Sequence, residues 1–161
     1  MTAQVIPLVD PAPSEEDREA LRDAITELHA LITLDPILGV SAVRVYFVVN
    51  PTAKARIAAS IDPADLGRRR TPSAYALVAY DFPFALHQLQ ATSSQLATER
   101  AKEVVCRSAG LQGEALRAAA EVTGLSMRAV SAFDAGALKS VFFPSTQETV
   151  IQLFRLELGQ P

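Results

Sequence analysis

The stretch GLQGEALRAAAEVTGLSMRAVSAFDA, Gly110 to Ala135, decides how the rest of the chain reads. Its first half is a helix of small residues, and Gly124 is its stop, because glycine accepts the left-handed conformation that closes many helices. Leu125–Val130 then reads as a short apolar strand, followed by the loop Ser131-Ala132-Phe133-Asp134. A helix this rich in alanine and glycine can be approached closely by something flat or by another backbone. A neighbouring helix, a partner subunit and a cofactor are all admissible occupants of its face.

Working outward, the same rules give the other elements. Asp134 can cap a short helix running to Phe143, and Thr149–Leu158 is the longest strand. From about Phe84 to Val122 the pattern is helical, in two segments expected to divide near Gly110. Ala74–Tyr80, AYALVAY, is a strand apolar on both faces, which predicts burial on both. Val43–Val49, VRVYFVV, is rich in β-branched and aromatic residues and stops at Asn50-Pro51. A short helix over Thr52–Ser60 follows, and Asp62–Arg70 reads as a polar loop.

Near the start, Ser14 followed by Glu15, Glu16 and Asp17 is a helix-start signal. Leu21, Ala24, Ile25, Leu28, Leu31 and Ile32 then form an apolar stripe that ends before Pro36. Residues 1–13 carry Pro7, Pro11 and Pro13 and are expected to form an extended arm on a single domain spanning 14–161. Strands alternating with helices argue for an α/β or α+β domain of three layers rather than a bundle or a sandwich.

Composition narrows the function. The 161 residues are 49% hydrophobic and 20% charged with a formal net charge of −3, which describes a globular chain with no basic footprint for nucleic acid. The run Arg68-Arg69-Arg70 is short and reads as a solvated loop. Cys106 is the one cysteine, so no intrachain disulfide can form; a reducing, cytoplasmic setting and a buried structural thiol are expected. His29 sits beside the first helix stripe, where packing or a surface position is expected. With His87 and Cys106 it shows no metal-ligand spacing. No window approaches a membrane span, and the first residues lack the pattern of a signal peptide. Neither a nucleophile elbow nor a Gly-rich phosphate loop occurs; Gly110-x-x-Gly113 reads as packing.

Several strings resemble the nitroreductase superfamily of flavin enzymes, above all its malonic semialdehyde reductase-like branch. Arg44 followed by VYFVV is similar to that family's Pro-x-Arg-apolar-Val-Phe strand. TPSAYALVAYD, Thr71–Asp81, resembles its Thr-Ala-Pro-apolar strand ending in an aromatic and Asp. Ser108–Asp134 resembles its central helix and the Gly-Pro-Met-Ser-Gly-Phe-Asp loop, with Phe142-Phe143 and the last strand to Gly159 in register. The resemblance covers most of the chain from about Glu19.

It implies an α+β fold of three α/β/α layers, with a central mixed sheet flanked by helices, and an FMN-dependent oxidoreductase that uses NAD(P)H on a small organic substrate. It also implies a homodimer, or a heterodimer with a longer relative, with the central helix in the subunit core and near the dimer interface. Backbone groups at Val130, Ser131 and Ala132 would lie near the edge of the isoalloxazine, and Arg44 and Gly159 would belong to the cofactor site. No catalytic side chain is implied, because the flavin carries the hydride chemistry.

The sequence also departs from that pattern. The family's arginine motif before the first helix is replaced by VIPLVDPAP, and its Pro-Thr-Ser-x-Asn segment by Pro36-Ile37-Leu38-Gly39-Val40. Its Gly-x-Gly turn and basic tail are represented by Glu157-Leu158-Gly159-Gln160-Pro161, and Pro-Met-Ser-Gly by Ala129-Val130-Ser131-Ala132. Two or three lost charge-assisted contacts, at roughly 1.5–3 kcal/mol each, would remove several decades of phosphate affinity. Arg44, Arg68, Arg69, Arg70 and Arg128 are the other cations a phosphate could use. Two further readings therefore stand beside the enzyme: a cofactor-free binding or assembly protein, and a subunit whose partner supplies the phosphate site.

Overall fold

The computed structural model describes residues 14–32, 43–66, 71–92 and 98–158. The arm expected over 1–13, and the calls on Pro36–Val40, Arg68–Arg70 and Gly159, lie outside them. Helix α1, Glu15–Leu31, starts where Ser14 Oγ accepts the Asp17 N–H at 3.1 Å, a cap worth about 1 kcal/mol. Ala24 and Leu28 are buried and Leu21, Ile25 and Ile32 pack beside them, but Leu31 turns outward at 46% exposure. Strand β1, Val43–Val48, leads to α2, Pro51–Ala59, which is capped by Asn50 Oδ1 accepting from Thr52 and Ala53.

The expected polar loop at 62–70 begins with a helical turn, α3, Pro63–Leu66. Asp62 Oδ1 accepts the Ala64 N–H at 2.9 Å and Pro63 occupies the first turn, the Asp-Pro pattern that starts a helix. Strand β2, Ala74–Asp81, is followed directly by α4, Phe82–Thr92, and then α5, Thr98–Val122. The helices therefore do not divide near Gly110, which sits mid-helix in α5. Glycine alone lowers helix propensity without ending a helix whose neighbours are Ala, Leu, Glu and Arg. Gly124, at φ +80°, does end it. Strand β3, Leu125–Ala129, helix α6, Ala135–Phe142, and strand β4, Glu148–Leu158, complete the chain.

The sheet order is β1-β2-β4-β3, and every pairing is antiparallel. The α+β expectation holds, while the mixed sheet is corrected to an antiparallel one among the described strands. β2 supplies both cores by simple alternation. Ala74, Ala76 and Val78 face Leu28, Leu89 and Leu116 of α1, α4 and α5. Tyr75, Leu77 and Ala79 face Ile57 and Leu138 of α2 and α6. Helices thus cover both faces, and each fully buried Leu or Ile contributes about 1.5–3 kcal/mol.

A bulge gives α5 its seat. Val78 pairs with Gln152 and Ala79 with Val150, so Ile151 is the extra residue in β4. Gln152 is thereby aimed at α5, where a Cβ on Gly113 would stand 2.7 Å from its Oε1. The inner side of the small-residue helix therefore lies against the sheet. Its outer side presents Leu111, Ala115, Ala118 and Val122 to solvent, with Leu111 at 68% and Val122 at 74% exposure.

Candidate functional site

The bend after β3 is held from two sides. The Val130 N–H donates to Leu153 O at 2.9 Å, extending the β3–β4 ladder by one residue. Beyond it, the Asp62 N–H donates to Ala132 O at 3.1 Å and the Asp134 N–H donates to Ser60 O at 2.7 Å, around a bridge between Ile61 and Phe133. Ile61 and Val130 are both buried in the core under α2 and α6, so this strap is anchored by apolar packing as well as hydrogen bonds. Asp134 then caps α6 through the Ala137 N–H at 3.0 Å. Ser131 and Ala132 remain exposed on a backbone fixed at both ends.

Arg44 stands elsewhere. It is on β1, whereas the bend leaves β3, and these strands are the two edges of the sheet. Three strand spacings separate them, about 14 Å. The Arg44 guanidinium lies 3.6 Å from Glu148 Oε1, and Tyr46 donates its hydroxyl proton to the same oxygen at 2.6 Å. The Tyr46 hydroxyl and the charge of Glu148 hold Arg44 protonated beyond its ordinary range. Burial, with the bond to Glu148, pushes the Tyr46 phenol up. Lys139 closes the same corner by donating to Thr146 O and Glu148 O at 2.7 and 3.0 Å. Glu148 itself is buried, which makes this a structural knot tying β1, β4 and α6 together.

One chain thus brings Val130, Ser131 and Ala132 together and leaves Arg44 apart from them; Gly159 lies outside the described residues. Sequence reading missed the Ser60–Asp62 strap, whose pairing with Ala132–Asp134 leaves no signal in either segment. Arg155, buried in β4 between Phe154 and Leu156, was missed as well, although its charge inside FRLEL was visible. Cys106, expected to be buried, is exposed on α5. The helix turns its Leu116 and Ala120 side inward and leaves Cys106 outside. His29 is exposed with its ring 6.3 Å from Phe47.

The residues at the bend fit the edge of a planar heterocycle: a fixed backbone, small exposed side chains and a buried anchor. Arg44 stands on the opposite edge of the sheet from the bend and is paired with Glu148. Among the described residues no helix is long and apolar enough to cross a membrane.

No protein-family model matches the chain. A protein of Rhodopseudomonas palustris (strain TIE-1), provisionally named an NADH dehydrogenase/NAD(P)H nitroreductase, is 34% identical over 134 residues, covering 76% of this chain. The match spans 66% of that relative's length, just short of two thirds. Among solved structures, the provisionally named nitroreductase YdfN of Bacillus subtilis superimposes with a TM-score of 0.71 at 15% identity, covering 86% of this chain and 78% of its own. A nitroreductase family protein of Streptococcus pneumoniae TIGR4 gives 0.68 at 13% identity, over 95% and 84%. A provisionally named nitroreductase of Exiguobacterium sibiricum, solved in complex with FMN, gives 0.66 at 13%, over 94% and 81%. The structures share the fold and the curated relative shares the sequence: the chain belongs to the nitroreductase superfamily.

Proposed function

We propose that this protein is an FMN-dependent oxidoreductase that uses NAD(P)H to reduce a small organic substrate, and that it works as a dimer. The observation that carries this reading is the bend from Val130 to Ala132, held by β4 on one side and by Ser60–Asp62 on the other. A preorganised backbone costs no ordering when a ligand arrives. When bound, the flavin supplies the hydride transfer between nicotinamide and substrate. The chain holds the ring's edge against Ser131 and Ala132, whose small side chains permit close approach. Arg44 is left out of this reading because Glu148 and Tyr46 already engage it.

The dimer finds support in the outer side of α5. Leu111, Ala115, Ala118 and Val122 recur at spacings of four, three and four residues, a continuous apolar stripe of the kind that pairs helices. Leu111 and Val122 are the two most exposed large hydrophobics among the described residues.

Steady-state assay of the full chain tests the reading. With added FMN, NAD(P)H oxidation should become dependent on a quinone or nitroaromatic acceptor and vanish when FMN is withheld. Absence of turnover with FMN saturating and several acceptors supplied would refute the enzyme. The cofactor-free alternative draws on the Arg44–Glu148 pair, which removes one cation from service.

A further inference from the structure

We propose that Ile61 is a positioning residue for the ligand: from the junction of α2 and α3 it fixes the Val130–Phe133 bend in the conformation that receives a planar ring. That the ring is a flavin rests on the reading above; that Ile61 holds the bend rests on the geometry of one isolated bridge.

The bend has two anchors of different kinds. Val130 is tied by the β3–β4 ladder, its N–H donating to Leu153 O at 2.9 Å, and belongs to the sheet itself. The far end is tied by an antiparallel pairing of Ile61 with Phe133 that lies outside the named strands. Its two hydrogen bonds run between the flanking residues, from the Asp62 N–H to Ala132 O and from the Asp134 N–H to Ser60 O. Ile61 and Phe133 are therefore a non-hydrogen-bonded pair, the arrangement with Cα atoms about 4.5 Å apart and side chains in closer contact. The same alternation turns the N–H and C=O of Phe133 away from the strap, so the bridge sets which way the bend's backbone polar groups point.

Ile61 has the support this task needs. Its own N–H donates to Ala58 O at 3.2 Å, and the Ser60 N–H and hydroxyl both reach Ile57 O, which ties the strap to the last turn of α2. Asp62 starts α3 on the other side by accepting the Ala64 N–H. The Ile61 side chain is 4% exposed, in the cluster with Val130 and Leu138, and half-buried Phe133 packs against that cluster. Trimming Ile61 opens a cavity beside Phe133 without touching the β3–β4 ladder. Ser131 and Ala132 make further interactions of their own, and a bend held by those alone would be indifferent to Ile61. Such a support acts on affinity before stability, because a shift of about 1 Å in a site can cost on the order of a hundredfold.

The experiment uses the full chain with Ile61→Ala, the milder Ile61→Val, and Leu28→Ala, which is as deeply buried but on the other face of the sheet. FMN is titrated by fluorescence quenching, Tm is measured, and amide exchange is followed by mass spectrometry on peptides spanning Val130–Asp134. Ile61→Ala should weaken FMN at least tenfold and speed exchange at the bend at least tenfold, with Ile61→Val recovering most of both. Leu28→Ala should lower Tm at least as far while leaving FMN affinity and bend exchange within twofold. Should Ile61→Ala fail to fold, Ile61→Val must still weaken FMN two- to threefold with Tm within a few degrees of the wild type, and no loss there would count against the proposal. A wild type that ignores FMN would sink the flavin reading, while faster exchange confined to the bend in Ile61→Ala would still uphold the positioning role. Equal losses of FMN affinity in Ile61→Ala and Leu28→Ala, or unchanged bend exchange in Ile61→Ala, would overturn the proposal.

Discussion

Three glycines around α5 look alike in the sequence and do different things. Gly110 has nothing within 4 Å of where a Cβ would stand, so Gly110→Ala should gain helix propensity, about 0.5–1 kcal/mol, and raise Tm by a few degrees. Gly113→Ala must push the Gln152 carboxamide aside and should show none of that gain. At Gly124 the positive φ makes Gly124→Ala destabilising by about 1–2 kcal/mol. Thermal melts of the three variants check the order. The same scale holds the Glu148 knot. Tyr46→Phe removes the short hydroxyl bond to a buried carboxylate and should cost about 1–3 kcal/mol in denaturant unfolding. The knot was not legible beforehand, since burial of Glu148 follows from how three elements meet rather than from its neighbours in sequence.

At the scale of elements, the sequence spoke clearly where periodicity and caps agreed. The Ser14 cap, the β2 run buried on both faces, the Gly124 stop and the Asp134 cap all appear where residue chemistry puts them. It spoke poorly where one signal stood alone: Gly110 does not divide the helices, and the polar composition of 62–70 hid the α3 turn. The bend of the candidate site was visible as a loop, but the Ser60–Asp62 strap pairs residues some seventy positions apart and could not be read from either segment. Bulk at the bend should matter more to ligand than to fold. Ser131→Trp, at an exposed position, should weaken FMN binding at least tenfold while leaving Tm within a few degrees. On α5, Leu111→Glu with Val122→Glu should convert a dimer to a monomer by light scattering, because two charges would enter the apolar stripe.

For the molecule as a whole, the two cores share one central strand, so loss of either helical layer should unfold both in one transition. Alkaline pH offers a probe of that unit. Burial is the first cause raising Tyr46, Tyr75 and Tyr80 above the ordinary phenol value of about 10. The folded chain therefore keeps protons that the unfolded chain releases near pH 10. The tyrosine contribution to stability should be complete below pH 10 and fall as pH rises through the higher folded-state values, while phenolate absorbance appears late in the folded protein. The superfamily fold is present although the sequence departs from the family's phosphate-binding pattern, and whether FMN binds is the question on which the proposed function turns. Titration of the purified chain with FMN, followed by visible absorption and fluorescence, answers it most directly. The account predicts saturable binding at micromolar concentration or tighter, with flavin bands that bleach on adding NAD(P)H; a colourless protein indifferent to added FMN would contradict it.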